Sequence, residues 1–154
     1  MEYTLSQFRD LVGLSLETHR HWKRVLPPVR RKAGRSPCFS VGDLIAGLVI
    51  RRLTEDVGVR VGSIVDLADE VFQLCSSPWA TLEGATLSLD LRRRTCALLK
   101  GRSPNSPAEL ALTCRLDPIL AEVRASLLKD QAGVAQATLP FGPVGVRAEP
   151  RRQA

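Results

Sequence analysis

Over the first seventy-five residues the apolar positions recur every three or four places, and beyond them they alternate every second place. The first spacing predicts amphipathic helices and the second predicts strands. Leu5, Phe8, Leu11 and Val12 form the first helical set. Thr4 and Gln7 frame its start as a capping box: the Thr4 hydroxyl accepts from a first-turn amide while Gln7 reaches back. Gly13 suits the left-handed residue that ends a helix. Ser15 suits the cap of the next helix, with Glu17 near its positive end. Two short helices joined by Gly13-Leu14-Ser15 predict a helix-turn-helix, the second running from about Leu16 to Arg24. On it Trp22 reads as a core anchor and His19 as a core histidine, while Thr18, His21, Lys23 and Arg24 project together. Pro27-Pro28 is expected to stop this helix.

Further along, Gly34 stands between two basic segments of the stretch Val29 to Phe39, which predicts a small β-wing. Ser40 and Asp43 form a second capping box before a third helix with the stripe Leu44, Ile45, Leu48, Val49 and Leu53. Val57-Gly58-Val59 interrupts the pattern. A fourth helix starts at Gly62 or Ser63 and carries Ile64, Leu67, Ala68, Val71 and Phe72 on one side. Ser76-Ser77-Pro78 is a linker, and Trp79 is placed to dock one half onto the other. Leu87, Leu89 and Leu91 alternate with Ser88, Asp90 and Arg92, a strand pattern that runs on through Cys96 and Leu98. After the turn cluster from Gly101 to Pro107, Leu110, Leu112, Cys114 and Leu116 alternate again, which completes a β-hairpin with one apolar face. Asp117-Pro118 opens a last helix faced by Ile119, Leu120, Val123, Leu127 and Leu128.

The fold class is thus α+β: an N-terminal winged helix-turn-helix domain of four helices and a β-wing, followed by a small β-hairpin plus helix unit. The expected divisions are 1–76 for the head, 77–132 for a dimerisation or partner-binding region and 133–154 for a flexible tail. A hairpin and one helix bury their faces poorly alone, so residues 77–132 are expected to pair with a second copy about a two-fold axis.

Charge changes the picture at one place. The chain has 154 residues, 22 basic and 16 acidic, with a net charge of +6. The segment Arg20 to Arg35 holds seven basic residues and no acidic one; without it, 15 basic residues face 16 acidic ones. The positive excess is local. A polyanion such as nucleic acid is the leading partner, because phosphate neutralisation releases counterions, and a solvated basic surface is the competing reading. No apolar run approaches the ~20 residues that span a bilayer, so cytoplasmic, nucleoid-associated residence is expected, without membrane contact. Cys38, Cys75, Cys96 and Cys114 are scattered without metal-ligand spacing and read as small apolar residues. Paired carboxylates with a pocket, a phosphate-binding glycine loop and a nucleophile motif are all missing, so neither an enzyme nor a cofactor is expected.

Residues 3–75 resemble the winged helix-turn-helix of the MerR family of transcription regulators. The matching signals run in order: Tyr3-Thr4-Leu5, Gly13-Leu14-Ser15, Thr18-x-Arg20-x-Trp22, Leu26-Pro27-Pro28 leading into Arg30-Arg31, Phe39-Ser40-x-x-Asp43-Leu44, and Ile50-Arg51-Arg52-Leu53. The resemblance implies that Arg20 and Trp22 lie on the recognition helix and that Arg30, Arg31 and Arg35 contact backbone phosphates. The long heptad helix of that family is absent after residue 75, as are its effector domains. The expected interface is Ser15, Thr18, Arg20, His21, Lys23 and Arg24 on the second helix, with Arg30, Arg31, Lys32 and Arg35 clamping the backbone. The expected function is a sequence-specific, dimeric regulator on double-stranded DNA. The alternatives are an architectural DNA-binding protein like phage excisionases or small terminase subunits, and a protein-interaction adaptor that binds no DNA.

Overall fold

Both capping boxes form. In the computed structural model, which describes residues 2–32, 38–101 and 110–134 with side chains as far as Lys129, the Thr4 hydroxyl accepts from the Gln7 amide at 3.3 Å and the Gln7 carboxamide accepts from the Thr4 amide at 2.9 Å. Helix α1 (Leu5–Val12) follows and ends on Gly13, whose φ of 74° is left-handed. Arg51 closes that end, donating from Nη1 to the Val12 carbonyl at 2.9 Å. Ser15 caps α2 (Leu16–Val25), accepting from the Thr18 amide at 3.0 Å. Before α1, strand β1 (Glu2–Tyr3) pairs antiparallel with β2 (Phe39–Ser40). This pairing sets the Phe39 ring against Phe8 with centroids 4.2 Å apart.

Helix α4 (Val41–Glu55) is the central element, with α1, α5 (Val61–Cys75) and α7 (Asp117–Val134) packed around it. That is why Ala46, Gly47 and Ile50 are buried along with the expected stripe. Its first turn lies directly on the end of α5: a methyl group at Gly42 would stand 2.7 Å from the Ser76 Cα. After the short helix α6 (Trp79–Leu82), strands β3 (Ala85–Asp90), β4 (Thr95–Lys100) and β5 (Leu112–Arg115) form an antiparallel sheet in the order β4-β3-β5. Leu87 and Leu89 on β3 stand opposite Leu98 and Cys96 on β4, and β4 packs against α5. Glu70 on α5 accepts from the Cys96 amide at 3.0 Å. Arg52 on α4 donates to Glu122 on α7 at 2.7 Å. The buried core is continuous from Tyr3 to Val123 and includes residues on both sides of the Ser76-Ser77-Pro78 segment.

Three expectations are corrected. Val29, Arg30 and Arg31 belong not to a β-wing but to a helix, α3 (Pro27–Arg31). Pro27 and Pro28 end α2 and also begin α3, since a first helical turn needs no amide donor and favours the fixed φ of proline. Leu26 serves as the junction between the two. The described residues between 2 and 75 therefore hold five helices rather than four. The alternation through Leu91 does not continue as one strand: Leu91–Arg94 is a tight turn between β3 and β4, so Arg92, Arg93 and Arg94 occupy a hairpin tip. The second alternating segment, β5, then pairs with β3 on its other side. The turns expected at Gly34 and from residue 102 to 107, Arg35, and the tail beyond residue 134 lie outside the described residues.

Part of the apolar surface of this C-terminal region is covered within the chain. Ile119, Leu120 and Val123 of α7 are buried, Leu127 is half-buried, and Leu128, expected on the same face, is 61% exposed. Trp79 reaches α7, where the Arg124 guanidinium lies 5.1 Å above its ring. Residues of this region thus share the core with the N-terminal helices. Among the described residues no helix is long and apolar enough to cross a membrane.

Candidate nucleic-acid interface

Helix α2 is held by its inner side. Trp22 is 1% and His19 4% exposed, and Val25 and Thr18 are half-buried. The helix therefore turns Glu17, Arg20, His21, Lys23 and Arg24 outward. Arg20 and Arg24 are four residues apart and share a face, with Glu17 and His21 as the next pair beside them. Thr18 does not join this group: its hydroxyl lies 2.8 Å from that of Ser15, and both are engaged in capping the helix. Of the expected recognition residues, Ser15, Arg20, His21, Lys23 and Arg24 are thus exposed, Ser15 also capping the helix, while Thr18 is half-buried.

Ion pairing neutralises many of the basic residues. Arg9, Arg51, Arg52, Arg93, Arg94, Arg115 and Arg124 each face a carboxylate. So do two members of the expected clamp: Arg31 pairs with Asp69 on α5, and Lys32 pairs with Asp43 at the start of α4. Those two line a cleft of about 380 Å³ with Pro28, Phe72 and Gln73. Arg20, Lys23, Arg24 and Arg30, like Arg60, Lys100 and Lys129 elsewhere, are exposed and have no carboxylate partner among the described residues. Four unpaired cations gathered on α2 and α3 form a surface that retains its charge for an external anion.

His19 bears on this surface from beneath. Its Nε2 is buried with no hydrogen-bond partner among the described residues. Burial, then Lys23, then Arg9 push its pKa below the ordinary 6.5. The folded state therefore binds fewer protons than the unfolded state, and stability is lost as the pH falls below about 6.5 toward the folded value. Urea midpoints at successive pH values between neutrality and the carboxylate range should show this loss, at most about 1.4 kcal/mol per pH unit. His19→Leu is expected to flatten the profile in that window, and an equally steep profile in the variant would exclude His19 as its source.

Burial raises Cys75 and Cys96 to about 12 and pushes Cys114 upward, so these thiols stay protonated. Among the described residues no group of three or more His, Cys, Asp or Glu is placed to hold a metal ion. The pairing of Arg31 and Lys32 with Asp69 and Asp43 had no sequence signal, because the partners are 38 and 11 residues away. No family model matches the chain, and neither the curated proteins nor the solved structures yield a match.

Proposed function

We propose that the chain is a sequence-specific double-stranded DNA-binding transcription regulator of MerR-like type, acting as a homodimer through residues 77–132. The observation that carries this reading is the set of unpaired cations on α2 and α3, beside neighbours that are neutralised by carboxylates. Phosphates are the polyanion such a patch suits, since each contact releases counterions. In this reading α2 lies in the major groove, as the second helix of a helix-turn-helix does. Arg20, His21 and Lys23 face base edges, and Arg24 and Arg30 hold the backbone and set orientation. The dimer reading draws on the sheet, in which β4 and β5 are edge strands, and on the exposed Leu110 and Leu128. The cytoplasm, at the nucleoid, is its proposed place.

Footprinting on fragments from the gene's own neighbourhood tests the proposal. The expected result is two protected half-sites related by a two-fold axis, with centres separated by about one helical turn or a multiple of it. Uniform protection without a preferred site, or none at all, contradicts it.

A further inference from the structure

The turn between β3 and β4 carries Arg92, Arg93 and Arg94, and its backbone is fixed. The Asp90 carboxylate, itself buried, accepts from the amides of Arg92 and Arg93 at 3.0 and 2.8 Å. Arg94 adopts a left-handed φ of 55°, which a residue other than glycine rarely takes. The turn therefore presents its side chains from a rigid support, not from a loose loop.

Its position relates it to α3. Arg94 reaches Asp66 on α5 at 3.2 Å, and Arg31 reaches Asp69 on the same helix. Asp66 and Asp69 are three residues apart, about 4.5 Å of helical rise on one face. The hairpin tip and α3 thus reach neighbouring positions on the exposed face of α5, with Arg93 next to Arg94 on the tip. Both ion pairs are exposed: the side chains retain 61% and 57% accessibility in one and 71% and 58% in the other. Pairs of this kind contribute little. A phosphate, which an arginine can engage with two parallel hydrogen bonds, is a stronger partner.

We propose that the Arg93–Arg94 hairpin tip is a second contact for the phosphate backbone of the same duplex, carrying the footprint from α2 and α3 across α5. This rests on the DNA-binding reading of α2. In the free protein Asp66 holds Arg94 and Asp90 faces Arg93, and both arginines turn to phosphate when it arrives. Because the carboxylates remain beside the bound backbone, they oppose binding, and this gives the proposal an outcome that a purely structural hairpin does not share.

The test is fluorescence anisotropy of the full chain on a random-sequence duplex of about three helical turns, across a salt series, with thermal melts of every variant. Arg93→Gln/Arg94→Gln is expected to weaken binding roughly tenfold and to reduce the salt slope by about 1.8. Asp66→Asn is expected to tighten binding and keep the slope. If the arginine variant does not fold, the Asp66→Asn result decides. Unchanged affinity and slope in the variants, with the parent chain still binding, overturns the second contact and leaves the α2 reading standing. No duplex binding by the parent chain overturns both.

Discussion

Asp43→Ala is expected to cost about 3 kcal/mol of stability, the combined loss of a helix cap and a largely buried ion pair. Asp43 is 3% exposed. Its carboxylate accepts from the Ser40 amide at 2.6 Å and the Ser40 hydroxyl at 2.8 Å, and it also pairs with Lys32. Alanine removes all three acceptor contacts at once and leaves the part-buried Lys32 ammonium without its carboxylate partner. Because Lys32 retains 31% accessibility, it can recover some hydration, which keeps the cost at the low end for broken buried pairs. The loss should appear as a drop in Tm of roughly 10 °C. Asp43→Asn, which keeps an acceptor for the cap but not the charge, should fall between the two. A loss below about 1 kcal/mol for Asp43→Ala would show that the capping box and the Lys32 pair are not a joint support for α3 and α4.

The same two residues show what the sequence could and could not disclose. Ser40 and Asp43 announce a helix start because the capping box is local, three residues from end to end. Thr4 and Gln7 do the same, and the apolar stripes of α4 and α5 follow at helical spacing. Lys32 meeting Asp43, and Arg31 meeting Asp69, depend on how α3 packs against α5, and nothing local encodes that. Pro27-Pro28 illustrates a different limit. A proline pair is equally at home after one helix and at the start of the next, and only the buried Pro28 and Val29 show that the chain turns inward here.

Beyond residue 75 the period-two alternation of leucines correctly marks the strands, but it says nothing of which strand lies beside which. β5 joins β3 because β3 has a free second edge, and that is a property of the sheet. The hairpin tip at Leu91–Arg94 has no glycine or proline to announce it. Its turn is made by Asp90 binding the amides two and three residues on, a role aspartate takes readily but does not advertise. The exposed face of α2 was legible as positive charge. Which of its cations remain without partners was not, since that is decided by carboxylates elsewhere in the chain.

Arg20→Ala/Arg24→Ala is expected to lower duplex affinity roughly 100-fold at moderate salt. Both side chains are exposed, neither has a carboxylate partner among the described residues, and alanine is the best helix former. The fold and its Tm should therefore be unaffected, so the loss is read at the surface alone. Two fewer neutralised phosphates should also make the salt dependence shallower by about 1.8. The remaining cations, Lys23 and Arg30, are expected to keep weak, sequence-indifferent binding.

The most direct measurement is equilibrium binding of the parent chain and of Arg20→Ala/Arg24→Ala to duplex DNA as a function of salt. The parent chain should bind with log K falling linearly in log salt at about −3.6 or steeper, one step for each of the four unpaired cations on α2 and α3, and the variant should show the weaker, shallower dependence. A parent chain that does not bind duplex at low ionic strength, or a variant that binds like its parent, contradicts the assignment of this surface to DNA.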